Sequence, residues 1–145
     1  MLVDKWKSLL SSVDVSKILS QIEHISKIGQ LDTGGVTRLA FSPEDKAARE
    51  LLIRFMEDAG LQIRKDPIGN IIGMLQGSQP DLPIIAIGSH IDSVINAGKL
   101  DGVLGVVTAI ECARIINQNI KLRPSIVVIC FVMEESSRFG VGYGF

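Results

Sequence analysis

The sequence predicts an α/β domain of three layers, with helices on both faces of a mainly parallel mixed sheet. Three observations carry this prediction. Leu82 to Ile87 and Ser125 to Met133 are almost continuously apolar, as expected for strands covered on both faces. Between them, about Val103 to Asn117 places Val106, Ile110 and Ala113 on one side, which is a helical period. Strand, helix, strand in that order implies a right-handed crossover and a parallel pair, and such a sheet needs covering layers.

The remaining elements follow in chain order. From about Val15 to Ile28, Ile18, Leu19, Ile22 and Ile25 recur at helical spacing and form one apolar stripe. His24 lies off that stripe beside Lys17, Gln21 and Lys27, and reads as a solvated surface histidine. Gln30 to Phe41 is a loop containing Asp32-Thr33-Gly34-Gly35. Ser42-Pro43-Glu44-Asp45 starts the next helix: Ser42 can cap, Pro43 suits the first helical position, and the acids favour the positive helix end. Ala47, Ala48, Leu51, Leu52, Phe55 and Met56 form its expected buried face, and Gly60 stops it. Leu61 to Lys65 alternates as a strand does, and Asn70 to Leu75 follows a turn at Gly69. There is no internal repeat and no low-complexity tract.

The 145 residues fit one domain, and 46% hydrophobic against 21% charged residues allow a substantial core. Fifteen basic and sixteen acidic residues give a net charge of −1, and no basic stripe points to nucleic acid. Cys112 and Cys130 sit in apolar surroundings without CxxC spacing and read as reduced core cysteines. No secretory signal is visible, and the longest apolar run, Ile126 to Met133, is far short of a membrane span. A cytoplasmic location is expected by elimination.

Two short segments concentrate the polar groups. Gly88-Ser89-His90-Ile91-Asp92-Ser93 follows one apolar strand, and Glu134-Glu135-Ser136-Ser137-Arg138 follows the next. In open α/β sheets ligands bind beyond the carboxyl ends of strands, so both segments should face one crevice. His90 and Asp92 are two apart and share a face if the strand continues. Asp92 is then placed to accept the ring proton of a metal-bound His90. The dipeptide alone fits equally well a capping aspartate beside a core histidine. Asp101, just before the third helix, suits a helix N-cap or a carboxylate that bridges two metal ions. Gly98, Gly102 and Gly105 permit close backbone approach there. Glu134 and Glu135 end a strongly apolar strand, where burying two acids is costly. Their side chains diverge, so one can bind a metal while the other moves a proton. Gly140-x-Gly142-x-Gly144 reads as a turn, and Lys99 and Arg138 as surface charges able to attract an anion.

Taken together, Gly88 to Val94, Gly98 to Val106 and Glu134 to Gly140 resemble the hydantoinase/carbamoylase amidase family, within the zinc carboxypeptidase and aminoacylase superfamily. That family includes N-carbamoyl-L-amino-acid hydrolase, allantoate amidohydrolase and β-ureidopropionase. Gly34 to Arg38, Ser42 to Asp45 and Asp66 to Asn70 extend the likeness over nearly the whole chain. The resemblance implies His90 as ligand of one metal, Glu135 as ligand of a second and Asp101 as the bridge. Glu134 would be the general base, with Asp92 supporting His90. It implies two divalent ions (zinc, or manganese, cobalt or nickel), a small ureido or carbamoyl substrate and a homodimeric full-length protein. The reaction would be hydrolysis of a linear amide carbon–nitrogen bond by metal-activated water.

The sequence departs from the family at Ser136, where glycine is usual, and in length. Residues 1–145 correspond to the amino-terminal part of the catalytic domain. Two further metal-binding histidines, a lid and dimerisation domain, and a substrate-gripping arginine have no counterpart. The isolated chain is therefore expected to be inactive. The alternatives are a non-enzymatic remnant or interaction module, and a dipeptidase-like or aminoacylase-like relative.

Overall fold

The computed structural model describes residues 2–139, with side chains from residue 7 onward. The Gly140-x-Gly142-x-Gly144 turn lies outside the described residues. The elements run α1 (Leu2–Ser11), α2 (Val15–Ser26), α3 (Pro43–Asp58), β1 (Gln62–Lys65), β2 (Ile71–Leu75), β3 (Ile85–His90), α4 (Val103–Asn119) and β4 (Ile126–Phe131). Helix α1 is an addition to the sequence-based expectation.

Local chemistry sets the helix ends. The Asp14 carboxylate accepts from Lys17 N at the start of α2, and Ser42 Oγ accepts from Asp45 N at 3.1 Å at the start of α3. Gly60, at φ 84°, follows α3 in the left-handed conformation that ends it. The α2 stripe is narrower than expected. Ile18, Ile22 and Ile25 are buried, whereas Leu19 is exposed. On α3, Ala48, Leu52 and Met56 are buried but Ala47 faces solvent. His24 is exposed, as expected, with Nδ1 at 2.7 Å from the Ser20 carbonyl oxygen.

The sheet order is β1-β2-β4-β3. β3 and β4 are parallel, as the strand–helix–strand order predicts. β1–β2 and β2–β4 are antiparallel, so the sheet is mixed but not mainly parallel over the described residues. A short turn joins β1 to β2, and the helix-free link from β2 to β3 reverses the chain, so β2 is antiparallel to β4, the parallel partner of β3. α3 packs on β1 and β2, α4 on β3 and β4, and α2 against both helices. Ile22, Ile25, Leu52, Met56, Val106 and Ile110 join Ile71, Val128 and Cys130 in one core. Each such buried side chain contributes about 1.5–3 kcal/mol.

These helices cover one face. On the other face Ile72 pairs with Ile129 and Met74 with Val127, and Ile72 and Val127 are buried. The expectation that 82–87 is a strand covered on both sides is corrected. Leu82 lies in a turn, β3 starts at Ile85, and β3 is the sheet edge with Ile85 45% and Ile87 37% exposed. Cys130 is a core cysteine, but Cys112 is exposed on α4; both are free thiols. Burial pushes the Cys130 thiol up to about 12, which leaves it inert.

Candidate active site

Because β3 and β4 run parallel, their carboxyl ends open on the same side, and His90 and Phe131 are register partners there. The loops that leave these two strands bring the candidate residues together.

His90 is 7% exposed. Its Nδ1 lies 3.0 Å from the main-chain oxygen of Asp92 and 3.7 Å from Asp92 Oδ1. A carbonyl oxygen only accepts, so Nδ1 carries a proton. Nε2 faces Glu134 Oε2 at 3.4 Å.

The expectation that the Asp92 carboxylate takes the ring proton is corrected, since 3.7 Å is too long for a hydrogen bond. β3 ends at His90, so the two-residue alternation does not reach Asp92. Its carboxylate, 2% exposed, instead accepts from Glu134 N at 3.3 Å and Glu135 N at 3.0 Å. Asp92 thus ties the β3 loop to the β4 loop. Met133, at φ 52°, turns the chain just before the two glutamates, a strained conformation of the kind that gathers at functional sites.

Asp101 is not the N-cap of α4. That position is Gly102, with no side-chain cap bond, and Asp101 is exposed. One donor atom each from His90, Asp101 and Glu135 lies within 4.8 Å of the others. Burial and the neighbouring Asp101 carboxylate raise the Glu135 carboxyl above its ordinary value, with His90 opposing. Among the described residues, no lysine or arginine forms an ion pair with Asp101, Glu134 or Glu135. One imidazole nitrogen and two crowded carboxylates could hold a divalent metal ion, which would relieve the repulsion between them.

The glycine expectation holds at two of three positions. Gly102 (φ 63°) lies against His90, where a Cβ would meet the ring Nε2 at 2.6 Å and the main-chain oxygen at 2.5 Å. A Cβ on Gly105 would meet Ser89 Cβ at 2.9 Å, whereas Gly98 has open space. Lys99 pairs with Glu23 at 3.1 Å, and Arg138 donates to the Ala40 carbonyl at 2.6 Å while lying over Phe139.

Sequence reasoning missed the residues that hold these loops. Asn70 Oδ1 accepts from Val132 N at 2.8 Å, while Asp66 Oδ1 gathers the N–H groups of Ile68, Gly69 and Asn70. Arg38 is 2% exposed and Ser93 4%. The available signal was one charged residue in the apolar stretch Val36-Thr37-Arg38-Leu39-Ala40.

A family model for peptidase family M28 matches residues 70–143, the half of the chain that holds His90, Asp92, Asp101, Glu134 and Glu135. The chain belongs to peptidase family M28. Over 136 residues it is 44% identical to an N-carbamoyl-L-amino-acid amidohydrolase from Pseudomonas sp. (strain NS671), covering 92% of this chain and 33% of that relative. A ureidoglycolate hydrolase from Arabidopsis thaliana is 39% identical over 131 residues, covering 90% of this chain and 28% of its own length. Among solved structures, a hydantoinase/carbamoylase family amidase from Burkholderia multivorans superposes with a TM-score of 0.86 at 34% identity, covering 90% of this chain and 32% of that one. This M28 chain therefore spans about a third of the length of the relatives it matches. Among the described residues no helix is long and apolar enough to cross a membrane.

Proposed function

We propose that the chain forms the amino-terminal part of the catalytic domain of a metal-dependent amidohydrolase that cleaves linear amide bonds in N-carbamoyl amino acids or related ureido compounds such as allantoate. One observation carries the reading: His90, Asp101 and Glu135 converge within 4.8 Å beside Glu134, beyond the ends of two parallel strands. The names of the relatives support the substrate class, since N-carbamoyl amino acids and ureidoglycolate share a ureido group. They favour it over a dipeptidase-like substrate.

In this proposal His90 would hold one divalent ion and Glu135 a second, with Asp101 contributing to both. Bound there, such ions supply Lewis acidity towards a carbonyl oxygen and lower the pKa of water. Glu134, half-buried and 3.4 Å from His90, takes a proton from the attacking water and returns it to the leaving nitrogen. Asp92 orients both glutamates through their main-chain N–H groups. His90, Asp101 and Glu135 give each ion only two protein donors, short of a usual set. We therefore place the remaining ligands, the dimer contacts and the substrate-gripping arginine in the two thirds of the relatives that this chain does not span.

A chimera tests the proposal. The chain replaces the matching third of an N-carbamoyl-L-amino-acid amidohydrolase, and hydrolysis of N-carbamoyl amino acids and allantoate is measured with and without added divalent metal. Metal-dependent turnover is expected. A folded, metal-loaded chimera without turnover counts against the proposal and favours a non-enzymatic remnant. Calorimetric titration of the 145-residue chain adds a second check, because tight binding of two ions would contradict an incomplete ligand set.

A further inference from the structure

Arg38 lies on the loop between α2 and α3, and its side chain points away from solvent. Nη1 donates to the carbonyl oxygens of Ile25 (3.0 Å), which also accepts from Ile28 N, and of Ile28 (2.9 Å), where the chain leaves α2. This much is an ordinary helix cap. The other bonds reach the candidate site. Nε donates to the Ile91 carbonyl at 2.6 Å, the residue between His90 and Asp92. Its main chain adds two more ties, with Arg38 N donating to Ser93 Oγ at 2.8 Å and Ser93 N donating to Arg38 O at 2.9 Å.

A continuous series of bonds follows from this. It runs from the end of α2 through Arg38 to Ile91 and Ser93, which bracket Asp92. From the Asp92 carboxylate it passes to the N–H groups of Glu134 and Glu135. Moving the Ile91 carbonyl displaces His90 on one side and Asp92 on the other, because the peptide planes are rigid. Burial disfavours the guanidinium charge, and the nearby carboxylates of Asp45 and Asp92 oppose that effect. A lysine ammonium keeps the charge but is a single point, and cannot serve three carbonyls spread across two segments as the planar fork does.

We infer that Arg38 is a positioning residue for the candidate metal centre: its guanidinium pins the His90–Asp92 segment to the end of α2 and, through Asp92, sets the Glu134–Glu135 pair. The inference rests on the metal-centre reading for its functional meaning, but its geometry can be tested apart from it.

The test compares the wild-type chain with Arg38→Lys, and with Glu111→Gln as a control in a buried charge network elsewhere. Two quantities are read: Co²⁺ affinity from its visible absorption spectrum, and amide hydrogen exchange of Ser93, Glu134 and Glu135 in the metal-free chain. Arg38→Lys is expected to weaken Co²⁺ binding about 10–100-fold, the range typical of residues that orient metal ligands. It should also speed exchange at the three amides, while Glu111→Gln changes neither quantity. Wild-type exchange at those amides in folded Arg38→Lys overturns the inference. If the wild-type chain takes up no Co²⁺, its ligand set is incomplete as proposed, Co²⁺ affinity is read in the chimera instead, and the exchange comparison decides the role of Arg38. If Arg38→Lys does not fold, Arg38→Gln replaces it. Faster exchange at Glu134 and Glu135 then supports the inference, and unchanged exchange overturns it.

Discussion

Helix α4 carries a carboxylate halfway along its length and follows directly on another at its start, and the two are treated in opposite ways. Glu111 is 2% exposed, yet its charge is met within the chain. Arg114 donates Nε to Oε2 at 2.7 Å and Nη2 to Oε1 at 2.6 Å, and Asp14 N donates to Oε1 at 3.0 Å. Burial pushes the Glu111 carboxyl up, but the bonds from Arg114 and Asp14 outweigh it and hold the group below its ordinary value. Asp101 lies beside Glu135 and His90 with no lysine or arginine partner among the described residues, and it helps to raise Glu135. A carboxylate matched by its own chain is a latch between elements. Carboxylates gathered without a cation work against stability, and that arrangement is what a ligand-binding site requires.

The sharpest way to break this contrast is through Glu134. In the metal-loaded chimera, Glu134→Gln is expected to lower turnover by about 10²–10⁴-fold, the usual contribution of a general base, with metal content unchanged. Retained turnover would remove Glu134 from the mechanism. Gly102→Ala comes next. A Cβ there strains a residue at φ 63° and meets His90, so a loss of about 2–4 kcal/mol is expected by chemical denaturation, together with weaker Co²⁺ binding. Wild-type metal affinity in that variant would show that His90 is not a ligand.

Glu111→Gln should cost about 1–3 kcal/mol through lost charged hydrogen bonds and leave Co²⁺ binding untouched. The pH dependence follows from the lowered carboxyl. Its stabilisation is fully present above the unfolded value of 4.5 and is lost as pH falls through the folded value. The stability gap between wild type and variant should therefore be constant near neutrality and shrink below about pH 4.5; a gap that widens in acid contradicts the latch. Asp101→Asn is the smallest effect. Removing one of two crowded charges should raise the stability of the metal-free chain slightly, by less than about 1 kcal/mol, while weakening Co²⁺ binding. A clear loss of stability in thermal denaturation would make Asp101 structural.

Much of the site could be read from residue order because its parts are local. His90 and Glu134–Glu135 each follow an apolar strand, and two parallel strands joined by one helix bring their carboxyl ends together. What escaped prediction depends on contacts between segments far apart in sequence. Arg38 meets Ile91, Asn70 meets Val132 and Asp92 meets Glu135, and none of these pairs leaves a periodic mark. The role of Asp92 was misjudged because it was derived from strand alternation, which stops at His90.

Hydrophobic period and capping chemistry are properties of neighbours along the chain, so the sequence by itself determined α2 to α4, the strand segments, the parallel β3–β4 pair and the five polar residues beyond it. Pairing direction and coverage depend on which segments meet. Only the tertiary structure decided that two of the three strand pairs are antiparallel, that the helices share one face, and that β3 is left as an edge. It also decided how the acids divide: Glu111 is matched by an arginine one turn away, whereas Asp101 and Glu135 converge from separate loops on His90, which tempers the charge of Glu135.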